Sequence, residues 1–158
     1  MPINPVSADK SSPTDESQAA SAMAEEMRVK RAIKYAEKEH RESRDRAREA
    51  STLGKELANA FKKKHCFDRD DLKKLDRLEK LAKRIRNDAG GSDDQTTLEK
   101  APNDLAEAVT RIAEVSASLS DKVQETPRQV ISTGIIDKVN VLLELIVVVR
   151  NFSSKAST

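Results

Sequence analysis

The side chains that could support catalysis or bind a metal are few, because the chain of 158 residues has two His and one Cys. Glu37 and His40 have the Glu-x-x-His spacing that places a carboxylate and an imidazole on one helix face in di-iron bundle proteins. Such a site needs a second motif and two further Glu, but Lys62 stands three residues before His65. The sequence therefore predicts a packed or partly solvated His40 rather than a metal ligand.

The second candidate is the run that contains His65, Cys66 and Asp68. Residues this close in sequence cannot all reach one tetrahedral ion without other donors. Cys66 beside Lys64 could be a reactive thiol, but we expect it to be a small side chain in an interhelical turn. A serine nucleophile would need a general base, and neither His can be given that role. We therefore predict a non-enzymatic protein with no metal and no cofactor.

Charge is distributed unevenly along the chain. The formal net charge is +2, yet residues 28–86 carry 21 basic and 11 acidic side chains, a net +10, and the remainder has 8 basic and 16 acidic ones, a net −8. This asymmetry indicates electrostatic recognition, either of an external polyanion or of the protein's own acidic part. The candidate polyanion-binding cations are Lys62, Lys63, Lys64, Lys73, Lys74, Arg77, Lys80, Lys83 and Arg84.

The same basic segment has a second interpretation, in which acidic side chains of the protein itself neutralise its charge. Asp76 and Glu79 interleave with the cations and allow local helix pairs. The chain has one Tyr and three Phe, which offers little stacking for single-stranded bases. A solvated or internally covered face is therefore favoured, and nucleic acid or an anionic membrane surface is the alternative. The covering side chains would come from the predicted third helix: Asp104, Glu107, Glu114, Asp121 and Glu125.

The elements that position these residues are predicted to be helices. Only 4 Gly and 5 Pro, beside abundant Ala, Glu, Lys, Arg and Leu, indicate long helices and argue against a β or Rossmann-type fold. We expect one very long helix over about 17–64, a second that starts at an Asp68 N-cap, a third from near Pro102 and a fourth over about 128–152.

These elements predict an all-α fold, an antiparallel bundle of about four helices within residues 17–152. A disordered leader, 1–16, would precede it and a polar tail, 153–158, would follow. Pro127 should separate the third and fourth helices. If Pro127 only kinks the chain, these two helices form one, and the fold is a long helical hairpin plus a short helix.

The first predicted helix has an unusual seam. In steps of four and three it runs from Val29 to Phe61, a spacing typical of coiled coils. At 1.5 Å per residue this helix spans roughly 70 Å, against roughly 30–37 Å for the others. Its first half, about 20–45, must therefore protrude, pair with another chain or fold back. The seam positions between its ends are Ile33, Ala36, His40, Ser43, Ala47, Ala50, Gly54 and Leu57.

The last predicted helix is apolar nearly all round, so it must be enclosed. Asp137, Lys138 and Glu144 interrupt it too often for a membrane span, and we predict no integral membrane segment. The residues expected to form its core or self-association stripe are Ile131, Ile135, Val139, Leu142, Ile146 and Val149.

Together these patterns predict a cytoplasmic helical interaction or scaffold protein. A single Cys cannot form an internal disulfide, so an oxidising compartment is not indicated. We expect a homodimer that associates through the apolar last helix and binds an unidentified protein partner. The alternative function is a polyanion-binding module that uses residues 28–86.

Overall fold

The computed structural model describes residues 15–91, 98, 100–127 and 131–156, and within these it contains four α-helices and no strand. The predicted all-α fold with a very long first helix is confirmed. The helices are α1 (Asp15–Lys64), α2 (Arg69–Asp88), α3 (Leu105–Glu125) and α4 (Thr133–Ala156). Asp15 and Glu16, which were assigned to the leader, are helical, and residues 1–14 lie outside the described residues.

The start of α2 is where the sequence predicts it. The Asp68 carboxylate accepts a hydrogen bond from the Asp71 N–H at 2.9 Å, and the Asp71 carboxylate accepts one from the Asp68 N–H at 3.0 Å. This reciprocal capping box satisfies two N–H groups that the first helical turn cannot bond internally. After Asp88 the chain leaves the helix through Gly90, whose φ of +89° is one that glycine adopts without strain.

The boundaries of α3 and α4 differ from the predictions. Asp104 caps α3 by accepting a hydrogen bond from the Glu107 N–H at 2.8 Å, so Pro102 precedes the helix instead of opening it. Thr126 is extended, as expected before Pro127, and α3 and α4 are separate helices. α4 starts five residues later than predicted.

At its start, the Ser132 hydroxyl accepts a hydrogen bond from the Ile135 N–H at 3.2 Å, which is a capping contact. At the other end, α4 continues through Ala156. The helix therefore ends four residues later than the predicted residue 152, since no Gly or Pro interrupts residues 153–156. Residues 128–130, 157 and 158 lie outside the described residues.

The chain divides into two compact units, Met1–Glu39 and His40–Thr158. In the second unit, the part of α1 from residue 40 onward runs antiparallel to both α2 and α3. Glu56 pairs with Lys74 near the start of α2, and Arg46 pairs with Asp88 at its end. Arg44 of α1 donates to Gln124 at the end of α3 at 2.9 Å.

α4 also contacts α2 and α3, again antiparallel. Arg150 reaches Asp76 in the first half of α2, and Asn140 accepts a hydrogen bond from Arg86 near its end. The Lys122 side chain, near the end of α3, lies over Gly134 at the start of α4. α2 and α3 are therefore parallel to each other and diagonal in the bundle, and each lies between α1 and α4.

The core of this unit is made mainly by α2, α3 and α4. Among the described residues, α4 supplies six of the twenty buried apolar side chains, and α1 supplies three, Ala47, Ala50 and Leu57. The small α1 side chains permit a close approach to α3. A Cβ added to Gly54 would lie 2.9 Å from Ser116 Oγ and 3.2 Å from the Ala113 Cα. The middle of the seam thus gives close helix contact while it buries little area.

Residues 15–39 form the described part of the first unit, and all of them are helical. None of these side chains is buried. Five of the eight large apolar side chains that are exposed in the described chain lie in this segment. They are Met23, Met27, Val29, Ile33 and Tyr35. None of the described helices combines the length and the apolarity needed to cross a bilayer.

Candidate functional site

The outward side of α2 carries a row of exposed cations, Arg69, Lys73, Lys80 and Lys83, which we call the α2 ridge. Their side chains form no ion pair or hydrogen bond within the residues that the structure describes. At 3.6 residues per turn, the first three lie within about 40° of one another around the helix axis, and Lys83 lies about 40° beyond Arg69. The ridge therefore presents four cations to solvent, of which Lys83 also helps to lower the pKa of the nearby Glu79.

The opposite side of α2 keeps the ridge facing outward. Leu75, Leu78 and Ile85 are at most 1% exposed and belong to the core. Burying three large aliphatic side chains contributes about 1.5–3 kcal/mol each, so rotation of α2 about its axis is strongly disfavoured. The orientation of the ridge is thus fixed by the bundle and does not depend on any contact made by the ridge itself.

Three of the predicted cations of α2 are instead engaged within the bundle. Lys74 pairs with Glu56 of α1 at 3.2 Å. Arg77 donates to both carboxylate oxygens of Glu49, also of α1, at 2.7 and 3.2 Å, and these hydrogen bonds raise the pKa of Arg77. Arg84 pairs with Asp88 one turn later at 3.4 Å. These side chains border the ridge, but each already forms an ion pair with a carboxylate of the protein.

The acidic residues that interleave with the ridge in sequence are also engaged. Arg150 of α4 donates to Asp76 at 2.7 Å and to Glu79 at 2.6 Å. The hydrogen bond from Arg150 holds the pKa of Glu79 below its usual value. α4 therefore supplies the ion-pair partner for these two carboxylates, and neither carboxylate forms an ion pair with a ridge cation.

Cover of the basic face by α3, one of the two alternatives for this face, is not found among the described residues. α3 is not a neighbour of α2 among the described residues, because the two helices are diagonal in the bundle. Asp104 caps its own helix, and Glu107 accepts a hydrogen bond from Arg111 at 2.6 Å within α3. The acidic residues that do contact α2 come from α1 and reach its edge, so the ridge remains exposed.

The turn between α1 and α2 divides the three consecutive lysines at the end of α1. Lys64 Nζ lies 2.6 Å from Asp68 Oδ2 and from Asp71 Oδ2. Hydrogen bonding to Lys64 lowers the pKa of Asp68 to about 2, and the same contacts raise the pKa of Lys64. Lys64 is thus part of the turn. Lys62 and Lys63 are exposed and have no ion-pair partner in the described chain.

The candidate catalytic residues lie apart from one another. His40 is half-buried, as expected for a packed or partly solvated histidine, and His65 and Cys66 are exposed in the α1–α2 turn. His65 has a φ of +59° and packs edge-on against Phe61. No group of three or more His, Cys, Asp or Glu suitable for a metal occurs in the part of the chain that the structure describes. That the protein is non-enzymatic stays a prediction.

The predicted self-association stripe of α4 lies inside the bundle. Its members from Ile135 to Val149 are buried against the other helices of the same chain. Ile131 differs, with 74% exposure, because it precedes the first residue of α4, Thr133, and does not share the inward face of the helix. The stripe is therefore core and offers no free surface on the folded chain. The buried members are Ile135, Val139, Leu142, Ile146 and Val149.

Two features of the surface were not predicted from the sequence. Arg69 belongs to the ridge, and its i, i+4 and i+11 spacing with Lys73 and Lys80 is the signal that could have identified it. A groove of about 330 Å³ lies between α3 and α4. Its lining combines two valines with three charged side chains, and nothing in the described structure shows what it would hold. The lining residues are Glu114, Val115, Ser118, Asp137, Lys138 and Val141.

No protein-family model, curated protein or solved structure shows a significant match to this chain.

Proposed function

We propose that this protein is a non-enzymatic helical module, cytoplasmic in location, that binds a polyanion through the α2 ridge. The observation that carries the proposal is the exposure of Arg69, Lys73, Lys80 and Lys83 with no ion pair or hydrogen bond among the described residues, while Arg150 holds the neighbouring carboxylates of Asp76 and Glu79. Lys83 interacts with Glu79 only through longer-range electrostatics. Self-association through α4 is less well supported, because the stripe that would mediate it is buried in the chain's own core.

Electrostatics explains why such a ridge favours anionic partners. An exposed cation that already has a carboxylate partner gains little from a phosphate or sulfate, because it must exchange one anion for another. An unpaired cation releases bound counterions from the polyanion when it makes contact, so its contribution to affinity is large at low salt. Unpaired cations on one rigid helix also need no rearrangement before they bind.

Retention on immobilised heparin tests the proposal. The wild-type protein should bind at low salt and elute as salt is raised. The Lys80→Glu, Lys83→Glu double variant should elute at markedly lower salt, since two attractive charges become repulsive. Both residues are exposed, so the substitutions should leave the helical circular-dichroism spectrum unchanged.

A matched control reverses two exposed lysines outside the ridge, Lys100→Glu and Lys122→Glu, which changes the net charge by the same amount. This control should elute close to wild type. Equal losses in the two double variants would show that binding follows net charge alone, and a wild-type protein that passes through the column at low salt would refute the proposal.

A second candidate function is association with a partner helix, or with a second copy, through residues 15–39. The supporting observation is that five of the eight exposed large apolar side chains of the described chain lie in this segment. Analytical ultracentrifugation tests self-association. A dimer that the Val29→Asp, Ile33→Asp variant converts to a monomer would support this candidate, and a monomeric wild-type protein at micromolar concentration would remove the homodimer.

A further inference from the structure

We infer that the polyanion is duplex DNA, and that the α2 ridge binds its two phosphate strands across one groove. This inference rests on the proposed function and narrows it to one class of partner. It follows from the spacing of the ridge cations and from the side chains that lie between them.

The ridge is divided into two pairs. Arg69 and Lys73 are one turn apart at the start of α2, and Lys80 and Lys83 are one turn apart in its second half. At 1.5 Å per residue, the facing members of the two pairs, Lys73 and Lys80, are separated by roughly 10 Å along the axis. The ridge therefore consists of two pairs of cations, separated along the helix axis by a stretch without a ridge cation.

The stretch between the two pairs carries a carboxylate whose position is fixed by an ion pair. Asp76 lies in it, and Arg150 of α4 fixes the Asp76 carboxylate at 2.7 Å. The cations of this stretch, Lys74 and Arg77, are engaged by Glu56 and Glu49 of α1. A phosphate at the centre of the ridge would meet Asp76, whereas phosphates at the two ends would meet unpaired cations.

Duplex DNA has the matching arrangement. Its major groove is about 12 Å wide and is bordered on each side by the phosphates of one strand. A helix laid across the groove would place one cationic pair on each strand and Asp76 above the groove, where no phosphate lies. Contacts of this kind position a protein on the duplex without reading its sequence.

Other polyanions fit the ridge less well. Leu75, Leu78 and Ile85 are buried in the core and cannot insert into a lipid surface, and Leu72, at 39% exposure, is the one large apolar side chain of α2 that solvent reaches. α2 has no aromatic side chain, so it offers no stacking platform to single-stranded bases. Both partners would therefore bind mainly by charge and would gain nothing from the separation of the two pairs.

Fluorescence anisotropy with three probes tests the inference: a 20-base-pair duplex DNA, one of its strands alone, and vesicles that contain phosphatidylserine. The wild-type protein should bind the duplex more tightly than either other probe at equal phosphate concentration. With four phosphate contacts, a log–log plot of affinity against salt should have a slope of about −3.6.

Paired substitutions then test the two-strand geometry. Removal of one whole pair, by Arg69→Ala with Lys73→Ala or by Lys80→Ala with Lys83→Ala, should reduce the slope by about 1.8. It should also abolish the preference for duplex over single strand. Removal of one cation from each pair, Lys73→Ala with Lys80→Ala, should weaken binding to a similar extent but leave that preference in place.

The outcomes separate this inference from the proposed function. If heparin is bound but the single strand or the vesicles are bound as tightly as the duplex, the two-strand inference is overturned and polyanion binding stands. The same holds if the whole-pair variants keep the duplex preference. If heparin is not retained at low salt, the proposed function itself fails. The exposed Lys100→Ala, Lys122→Ala variant is the control and should match wild type with every probe.

Discussion

Two halves of one helix, residues 15–39 and 40–64 of α1, resemble each other in sequence and differ in burial. Both are rich in Ala, Glu, Lys and Arg, and both carry the same seam of alternating four- and three-residue steps. In the second half Ser43, Ala47, Ala50, Gly54 and Leu57 are buried, whereas no side chain of the first half is.

The difference shows that a helical seam does not by itself specify burial. The first half is helical because its residues have high helix propensity and form local pairs, such as Glu26 with Lys30 at 3.2 Å. The second half is buried because α2 and α3 are there to cover it. An isolated helix without tertiary contacts is marginal in water, so the two halves should respond very differently to perturbation.

Amide hydrogen exchange should show the largest contrast. Opening the second half requires unfolding of the bundle, whereas the first half can fray alone, so amides of residues 47–57 should exchange roughly 1,000-fold more slowly than those of 20–35. Exchange measured by mass spectrometry or NMR gives this ratio. Equal protection would contradict the prediction and would indicate that a partner covers residues 15–39.

Truncation of seam residues should give the next largest effect. Leu57 is fully buried, so Leu57→Ala should lower the free energy of unfolding by about 2–5 kcal/mol. The matched variant is Ile33→Ala, at a seam position that is 44% exposed, and it should change this free energy by less than about 0.5 kcal/mol. Urea unfolding followed by circular dichroism measures both. Similar losses would mean that Ile33 is covered in solution.

Glycine substitution tests the close approach of α1 and α3. In an exposed helix Gly→Ala stabilises by about 0.5–1 kcal/mol, but a Cβ on Gly54 would meet Ser116 Oγ at 2.9 Å. We therefore expect Gly54→Ala to destabilise by about 1–3 kcal/mol. Urea unfolding decides the sign, and a stabilised variant would refute the close packing. The control, Ala32→Gly in the exposed half, should leave the main unfolding transition nearly unchanged.

The smallest effect on stability should come from a change of pH, through the ion pair of Lys64 at the end of α1 with Asp68. Hydrogen bonding to Lys64 lowers the pKa of Asp68 from 3.8 to about 2. The resulting stabilisation is present above pH 4 and is lost as the pH falls toward 2, because the unfolded state takes up the proton first. Asp68→Asn should therefore have a lower urea midpoint than wild type at pH 6 and a similar one at pH 2.

Glu26→Gln, which removes the Lys30 pair of the exposed half, is the control for this pH series. It should leave the urea midpoint of the bundle close to wild type at both pH values, since residues 15–39 bury nothing. An Asp68→Asn difference that persists unchanged at pH 2 would show that the cap geometry, and not the carboxylate charge, is responsible.

Much of the fold could be predicted from short stretches of sequence. The start of α2 follows from Asp68 and Asp71 alone, because a capping box involves four consecutive residues. The end of α3 follows from Pro127 for the same reason. The predicted start of α4 is wrong by five residues. The apolar run begins before the Ser132 cap, so the prediction includes Ile131 in the helix.

The candidate site was less predictable. The sequence nominates Lys73, Lys80 and Lys83 as polyanion-binding cations without deciding whether they are exposed; the structure places them at the surface, and their binding role stays a prediction. Lys74 and Arg77 look the same in sequence but are engaged by α1. The helical wheel gives the direction of each side chain from the axis and says nothing about which helix lies in that direction. Partners in α3, one of the two alternatives for this face, are not found among the described residues, because α2 and α3 are diagonal in the bundle.

The sequence by itself determined that the protein is helical, where the helices begin within a few residues, and that positive charge is concentrated between residues 28 and 86. Helix propensity and capping depend on residues within about one turn, and hydrophobic periodicity depends on residues of the same helix. All three can therefore be recognised from a continuous stretch of sequence. Only the tertiary structure decided which of those charges remain free. Ion pairs between helices depend on which helices are neighbours, and here Glu49, Glu56 and Arg150, all distant in sequence from the α2 ridge, leave its four cations facing solvent.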